Sequence, residues 1–91
     1  MKTWVVYDLD VWGNEEDGYE VNDWWAVGEL SFTDMEIQDD KVILEKMKKS
    51  GYLATSDMRK LEVVADYGFI EIVERKTGKY LYNLELKKEG K

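Results

Sequence analysis

Residues 69–87 read Phe69-Ile70-Glu71-Ile72-Val73-Glu74-Arg75-Lys76-Thr77-Gly78-Lys79-Tyr80-Leu81-Tyr82-Asn83-Leu84-Glu85-Leu86-Lys87. Two alternating runs, 69–75 and 79–87, flank Lys76-Thr77-Gly78. That connection suits a three-residue hairpin loop with Gly in the left-handed position. The register it sets puts Ile72 opposite Tyr82 and Ile70 opposite Leu84. Phe69 and Val73 fall on the face away from Ile70 and Ile72, the pattern of a central strand covered on both sides.

Working back, residues 60–67 alternate, with Leu61, Val63, Ala65 and Tyr67 on one face, and Gly68 ends that run. A loop is expected over 54–59. Before it lies the clearest local signal, a helix near 40–50. Asp39 is its N-cap and Asp40 sits in the positive first turn. Val42, Ile43 and Met47 form an apolar stripe with Leu44 beside it. Lys46, Lys48 and Lys49 occupy the last turns, Gly51 is the residue just past the end, and Tyr52 supplies a hydrophobic contact there.

Residues 3–12 alternate too. Val5, Tyr7, Leu9 and Val11 make an apolar face; Trp4, Val6, Asp8, Asp10 and Trp12 make a mixed one. Gly13 to Gly18 is a polar turn. A second extended stretch covers 19–32, with Trp24, Ala26, Leu30 and Phe32 on one face and Gly28 marking a bulge or a close approach. The expected fold is α+β: a largely antiparallel sheet in the order β-β-α-β-β-β with one helix on one face. Residues 1–91 form a single domain, with a frayed tail from Lys87.

Composition narrows the chemistry. The 91 residues include no Cys, no His and no Pro. Cys/His zinc sites, thiol nucleophiles, haem and iron–sulfur ligation and a His general base are therefore excluded. Ser31, Ser50 and Ser56 stand in no nucleophile–base arrangement, so the chain reads as non-enzymatic with no cofactor. No apolar run approaches the roughly 18 residues of a membrane span and no N-terminal leader pattern is read, so the expected location is the cytoplasm of a bacterial host cell.

The net charge of −7 hides an asymmetry. Residues 1–40 carry 12 acids and one base; residues 41–91 carry 8 acids and 12 bases. The acidic half also holds all four Trp. Asp8, Asp10, Trp12, Glu15, Glu16, Asp17, Trp24 and Trp25 are the candidate partner-binding residues, because aromatic side chains dominate contact hot spots and carboxylates select a basic surface.

Three other uses of these residues stay open. Asp8, Asp10, Asn14 and Asp17 could form a weak divalent-cation module. The EF-hand spacing fails, however, because Trp12 and Tyr19 stand where carboxylates are needed, and a solvated turn is the plainer reading. Lys46, Lys48, Lys49, Arg59 and Lys60 could contact nucleic-acid phosphate. Glu45 and Asp57 interrupt them, and the helix dipole already explains the lysines. Nucleic-acid binding through the acidic half is disfavoured. Lastly, acidic and basic halves could meet across a homo-oligomer contact.

The stretch Asp10-Val11-Trp12-Gly13-Asn14-Glu15-Glu16-Asp17-Gly18-Tyr19-Glu20-Val21-Asn22-Asp23 resembles a recurrent segment of small uncharacterised proteins encoded by bacteriophages and prophages. The likeness continues through Lys48-Lys49-Ser50-Gly51-Tyr52-Leu53 and the hairpin around Lys76-Thr77-Gly78. It implies a phage or prophage origin and action inside a bacterium. The charge of residues 1–40, with their Trp residues, is what makes a host or phage protein with a basic surface the expected partner. It assigns no functional residue.

Overall fold

The computed structural model describes residues 1–53, 58–66 and 68–88. The predicted loop lies in part outside these, at 54–57, as do Tyr67 and the end of the tail, 89–91. Five strands, β1 (Lys2–Asn14), β2 (Gly18–Phe32), β3 (Leu61–Asp66), β4 (Phe69–Glu74) and β5 (Tyr80–Leu86), form one sheet. Its order is β2-β1-β5-β4-β3, and every neighbouring pair is antiparallel. The helix α1 (Asp40–Lys49) lies between β2 and β3 in the chain, with short 3-10 turns at Glu36–Gln38 and Met58–Lys60 on either side. No described helix is long and apolar enough to cross a membrane.

Local chemistry sets the ends of α1. The Asp39 carboxylate accepts a hydrogen bond from the Lys41 backbone N–H at 3.0 Å, meeting one of the orphan donors of the first turn. At the other end the Tyr52 N–H donates to the Met47 carbonyl and the Gly51 N–H to the Lys48 carbonyl, each at 3.0 Å. These two bonds are a Schellman motif, which needs a left-handed residue at Gly51, where φ is 85°.

The β4–β5 hairpin has the expected register, Ile72 opposite Tyr82 and Ile70 opposite Leu84. The Glu74 N–H bonds the Lys79 carbonyl at 2.9 Å, so the connection runs over 75–78, one residue longer than expected. Ile70, Ile72, Leu84, Leu61 and Val6 turn inward and meet Ile43, Leu44 and Met47 of α1, together with Phe32 and Leu53, in a single core. The helix therefore covers one face of the sheet, here the inner face. Val73 is buried on the outer face, which fits the interior position of β4.

The alternation expected along β1 is present, and the more apolar set, Val5, Tyr7, Leu9 and Val11, faces away from the helix. Val6 of the mixed set is completely buried on the helix side, because β1 pairs with β5 so that Val6 stands beside Leu84. Cross-strand partners share a face, so the strong inner face of β5 decides which side of β1 goes inward.

One expectation, concerning β2, is corrected. Trp24, Ala26, Leu30 and Phe32 do not share a face. Val6 pairs with Gly28 but Tyr7 pairs with Ala26, leaving Val27 as an extra residue in a bulge. Leu30 and Phe32 remain inside, while Trp24 and Ala26 pass to the outer face. Gly28 itself is a close approach, since a Cβ there would run into the Tyr52 hydroxyl.

Candidate functional site

β5 pairs with β1 only over Trp4–Asp8, whereas the β1–β2 ladder runs on to Asn14 and Gly18. Residues 9–24 thus form a two-stranded ribbon beyond the rest of the sheet. The molecule spans 41 Å along its longest axis and 23 Å along its shortest. Hydrogen bonds close the ribbon tip: the Asp17 N–H donates to Asn14 Oδ1 at 2.8 Å, and Asn14 Nδ2 donates to Asp17 Oδ2 at 3.3 Å.

Residues 8–25 carry seven carboxylates and no base. The pairing distributes them. Asp8 stands opposite Trp25, Asp10 opposite Asp23 and Trp12 opposite Glu20, so these six share the face continuous with the inner side of the sheet. Leu9 stands opposite Trp24 and Val11 opposite Val21, forming an apolar reverse side. A second bulge, at Asn22, separates the two sets of pairs. Asn22 Nδ2 donates to Asp10 Oδ2 at 2.9 Å and the Trp24 N–H donates to Asp23 Oδ1 at 2.8 Å, holding both carboxylates of the opposed pair.

Of the predicted contact residues, the structure brings together Asp8, Asp10, Trp12 and Trp25, places Glu15, Glu16 and Asp17 in the exposed tip, and puts Trp24 on the other side. Trp12, Trp24 and Trp25 are 62%, 61% and 48% exposed, whereas Trp4 packs against the core. Three large indoles in water, on a chain short of core area, are the kind of exposed apolar surface that marks interaction sites. Sequence reasoning missed Glu20 and Asp23. Their signal was their place opposite Trp12 and Asp10, which the bulges conceal.

Asp8 lies where the ribbon joins the core. It pairs laterally with Tyr82, whose hydroxyl donates to the Tyr52 carbonyl at 2.6 Å. The two tyrosine rings are 6.0 Å apart at a 55° tilt. Burial, and then the negative charge of Asp8, hold the Tyr82 phenol above its ordinary pKa.

The cation candidates Asp8, Asp10, Asn14 and Asp17 do not converge. Asp8 and Asp10 project from β1, while Asn14 and Asp17 bond each other at the tip. Among the described residues, no group of three or more acidic side chains is placed to hold a metal ion.

The basic candidates are not equivalent either. Lys46 turns back onto its own fold: Nζ donates to the Ser31 carbonyl at 2.6 Å, lies 3.2 Å from Glu36 and sits 4.8 Å from the centre of the Phe32 ring. Lys48, Lys49, Arg59 and Lys60 are exposed. Glu36 forms a reciprocal box with Thr33, accepting from the Thr33 N–H at 2.9 Å while its own N–H donates to Thr33 Oγ1 at 3.1 Å. The Thr33 N–H, and then Lys46, hold the Glu36 carboxyl below its ordinary range.

The outer face carries a second feature. Leu9, Val21 and Trp24 of the ribbon and Glu71, Asn83 and Glu85 of the sheet line a shallow depression of about 270 Å³. Asn83 lies on β5 between Tyr7 of β1 and Glu71 of β4. Its Oδ1 is buried and accepts no hydrogen bond among the described residues. A buried acceptor left in that state costs about 1–3 kcal/mol, which an apolar residue at the same place would avoid.

No known protein family, curated protein or solved structure matches the chain.

Proposed function

We propose that the chain is a non-enzymatic binding protein, of the phage accessory type implied by the resemblance of residues 10–23, whose acidic ribbon docks a host or phage protein with a basic surface. One observation carries the reading: Asp8, Asp10, Glu20 and Asp23 share a face with the exposed Trp12 and Trp25, and no base lies between residues 8 and 25. Exposed Trp supplies apolar contact area, and the surrounding carboxylates steer a cationic partner and reject acidic ones. A ribbon with this charge also offers a nucleic-acid site on a host protein a substitute for the phosphate backbone.

The test is a pull-down from bacterial lysate at low salt, comparing the wild-type chain with a variant carrying Asp10→Asn, Glu20→Gln and Asp23→Asn. A partner captured by the wild type and lost from the variant supports the docking face. The same loss on raising salt from about 50 to about 200 mM supports its electrostatic part. Equal capture by both chains refutes the assignment. If the captured protein binds DNA, release of the chain by added duplex supports phosphate mimicry.

A further inference from the structure

At the β3 edge of the sheet, beside the first turns of α1, lies an open groove of about 440 Å³. Leu44 and Leu61 are buried beneath it, and Met58 and Val63 line it half-buried. Its margin holds three bases, Lys41, Arg59 and Arg75, against two acids, Asp40 and Glu45. Among the described residues Lys41 forms no ion pair. No residue of β1 or β2 lines the groove, because β5 and β4 separate it from them.

The opposite edge carries the converse shape. Trp12 is 62% exposed near the closed end of a ribbon that projects beyond the sheet. Glu15, Glu16, Asp17 and Glu20 flank it, and no base lies between residues 8 and 25. A projecting indole among carboxylates and an apolar groove with a mainly basic margin are complementary in shape and in charge. Knob and groove lie at opposite edges of one sheet, so a chain does not fill its own groove. We propose that the groove receives Trp12 of a second copy of the chain, which thus associates head to tail. The indole lies on Leu44, Met58, Leu61 and Val63, and the ribbon's carboxylates face Lys41 and Arg75. Because the two surfaces differ, the contact is heterologous: each pair leaves one groove and one ribbon open, and growth continues unless the rotation closes a ring. One indole and a ribbon tip bury less than the about 1,200 Å² of a stable interface. Asp40 and Glu45 also oppose the acidic tip, so the contact is weak and depends on concentration. The proposal rests on the reading of the ribbon as a contact element and adds regulation to it: a copy whose Trp12 is seated in a neighbour is withheld from the basic partner.

The experiment is sedimentation velocity on the intact chain at low salt, from about 1 µM to about 1 mM. The expected result is monomer at the dilute end and a rising average mass at the concentrated end. Trp12→Ala removes the knob. Lys41→Glu/Met58→Glu, with an amide spectrum unchanged away from the groove, spoils the receiver. Each weakens association by about tenfold or more. The deciding arm mixes the two variants. The intact groove of the first takes the intact ribbon of the second and no further site is left, so the mixture forms a 1:1 dimer and nothing larger.

Wild type that stays monomeric across the whole range would overturn the proposal and leave the basic-partner reading standing. Undiminished association of either variant alone would overturn it too. So would a mixture that stays monomeric, the signature of a symmetric contact in which ribbon meets ribbon. The converse is separable: a 1:1 dimer in the mixture, with partner capture unaffected by the Asp10, Glu20 and Asp23 substitutions, would retain the head-to-tail contact and refute the ribbon face as the partner's dock.

Discussion

Asp10 and Asp23 stand directly opposite each other across the β1–β2 ribbon, on the face that also presents Trp12 and Trp25. Like charges in that position repel, and such pairs act on a scale of about 0.2–1 kcal/mol. Asp23→Asn is therefore expected to stabilise the free protein by a few tenths of a kcal/mol at low salt, an effect that fades as salt rises. Urea denaturation at two salt concentrations measures it. The same substitution weakens docking of the basic partner, so stability and binding move in opposite directions.

Trp12→Ala and Trp25→Ala remove side chains that are mostly in water, and each should change unfolding free energy by no more than about 0.5 kcal/mol. Trp4→Ala, against the core, should cost clearly more. Partner capture inverts the order, with the Trp12 and Trp25 variants losing most. Parallel denaturation and capture assays on the three variants check both halves of the prediction.

The space a Cβ would need at Gly28 is taken by the Tyr52 hydroxyl. Gly28→Ala forces Tyr52 away from Tyr82, at a cost of about 1–3 kcal/mol. Adding Tyr52→Phe removes the colliding oxygen but leaves the ring carbon that bore it 3.2 Å from the new Cβ, so most but not all of the loss should return. A thermal-melt comparison of the two single variants and the double variant reveals the coupling as non-additivity.

Titration gives two opposite signatures. Glu36 has a folded pKa below its unfolded value, because the Thr33 N–H and Lys46 favour the charged form. Its contribution is present above the ordinary carboxylate pKa and is lost as pH falls through the folded value. Glu36→Gln should flatten the stability profile in that acidic window and leave the alkaline side alone.

Tyr82 has a folded pKa raised by burial and by Asp8. Its contribution is intact below the unfolded pKa of about 10 and is lost as pH rises from there through the folded value. Tyr82→Phe should remove that alkaline dependence. It should also cost about 1 kcal/mol at neutral pH through loss of the hydrogen bond to the Tyr52 carbonyl. Denaturation midpoints across the pH range test both variants.

The helix and the β4–β5 hairpin were legible because their signals are local. Asp39, Gly51 and Tyr52 act within one turn of α1, and Gly78 takes the left-handed conformation (φ 77°) beside its own strands. The facing of β1 was not legible from its own hydropathy. Val5, Tyr7, Leu9 and Val11 are the more apolar set, yet pairing with β5 turns Val6 inward. The contact residues were legible as types, carboxylates and indoles crowded into one segment. Their grouping was hidden, because Val27 is an ordinary strand residue that betrays no bulge, and the orphaned Asn83 has meaning only beside Glu71 and Tyr7.

Val27 also makes pairing, more than spelling, the carrier of surface identity. Because it is the unpaired residue of its bulge, deleting it would leave Ala26, Trp25 and Trp24 opposite Tyr7, Asp8 and Leu9 as before. A slip is different: if Val27 itself paired with Tyr7, residues 23–26 would change sides and Trp24 and Trp25 would exchange faces. One unaltered chain would then show a partner two different surfaces, and the bulge is what keeps Trp25 beside the carboxylates of Asp8 and Asp10.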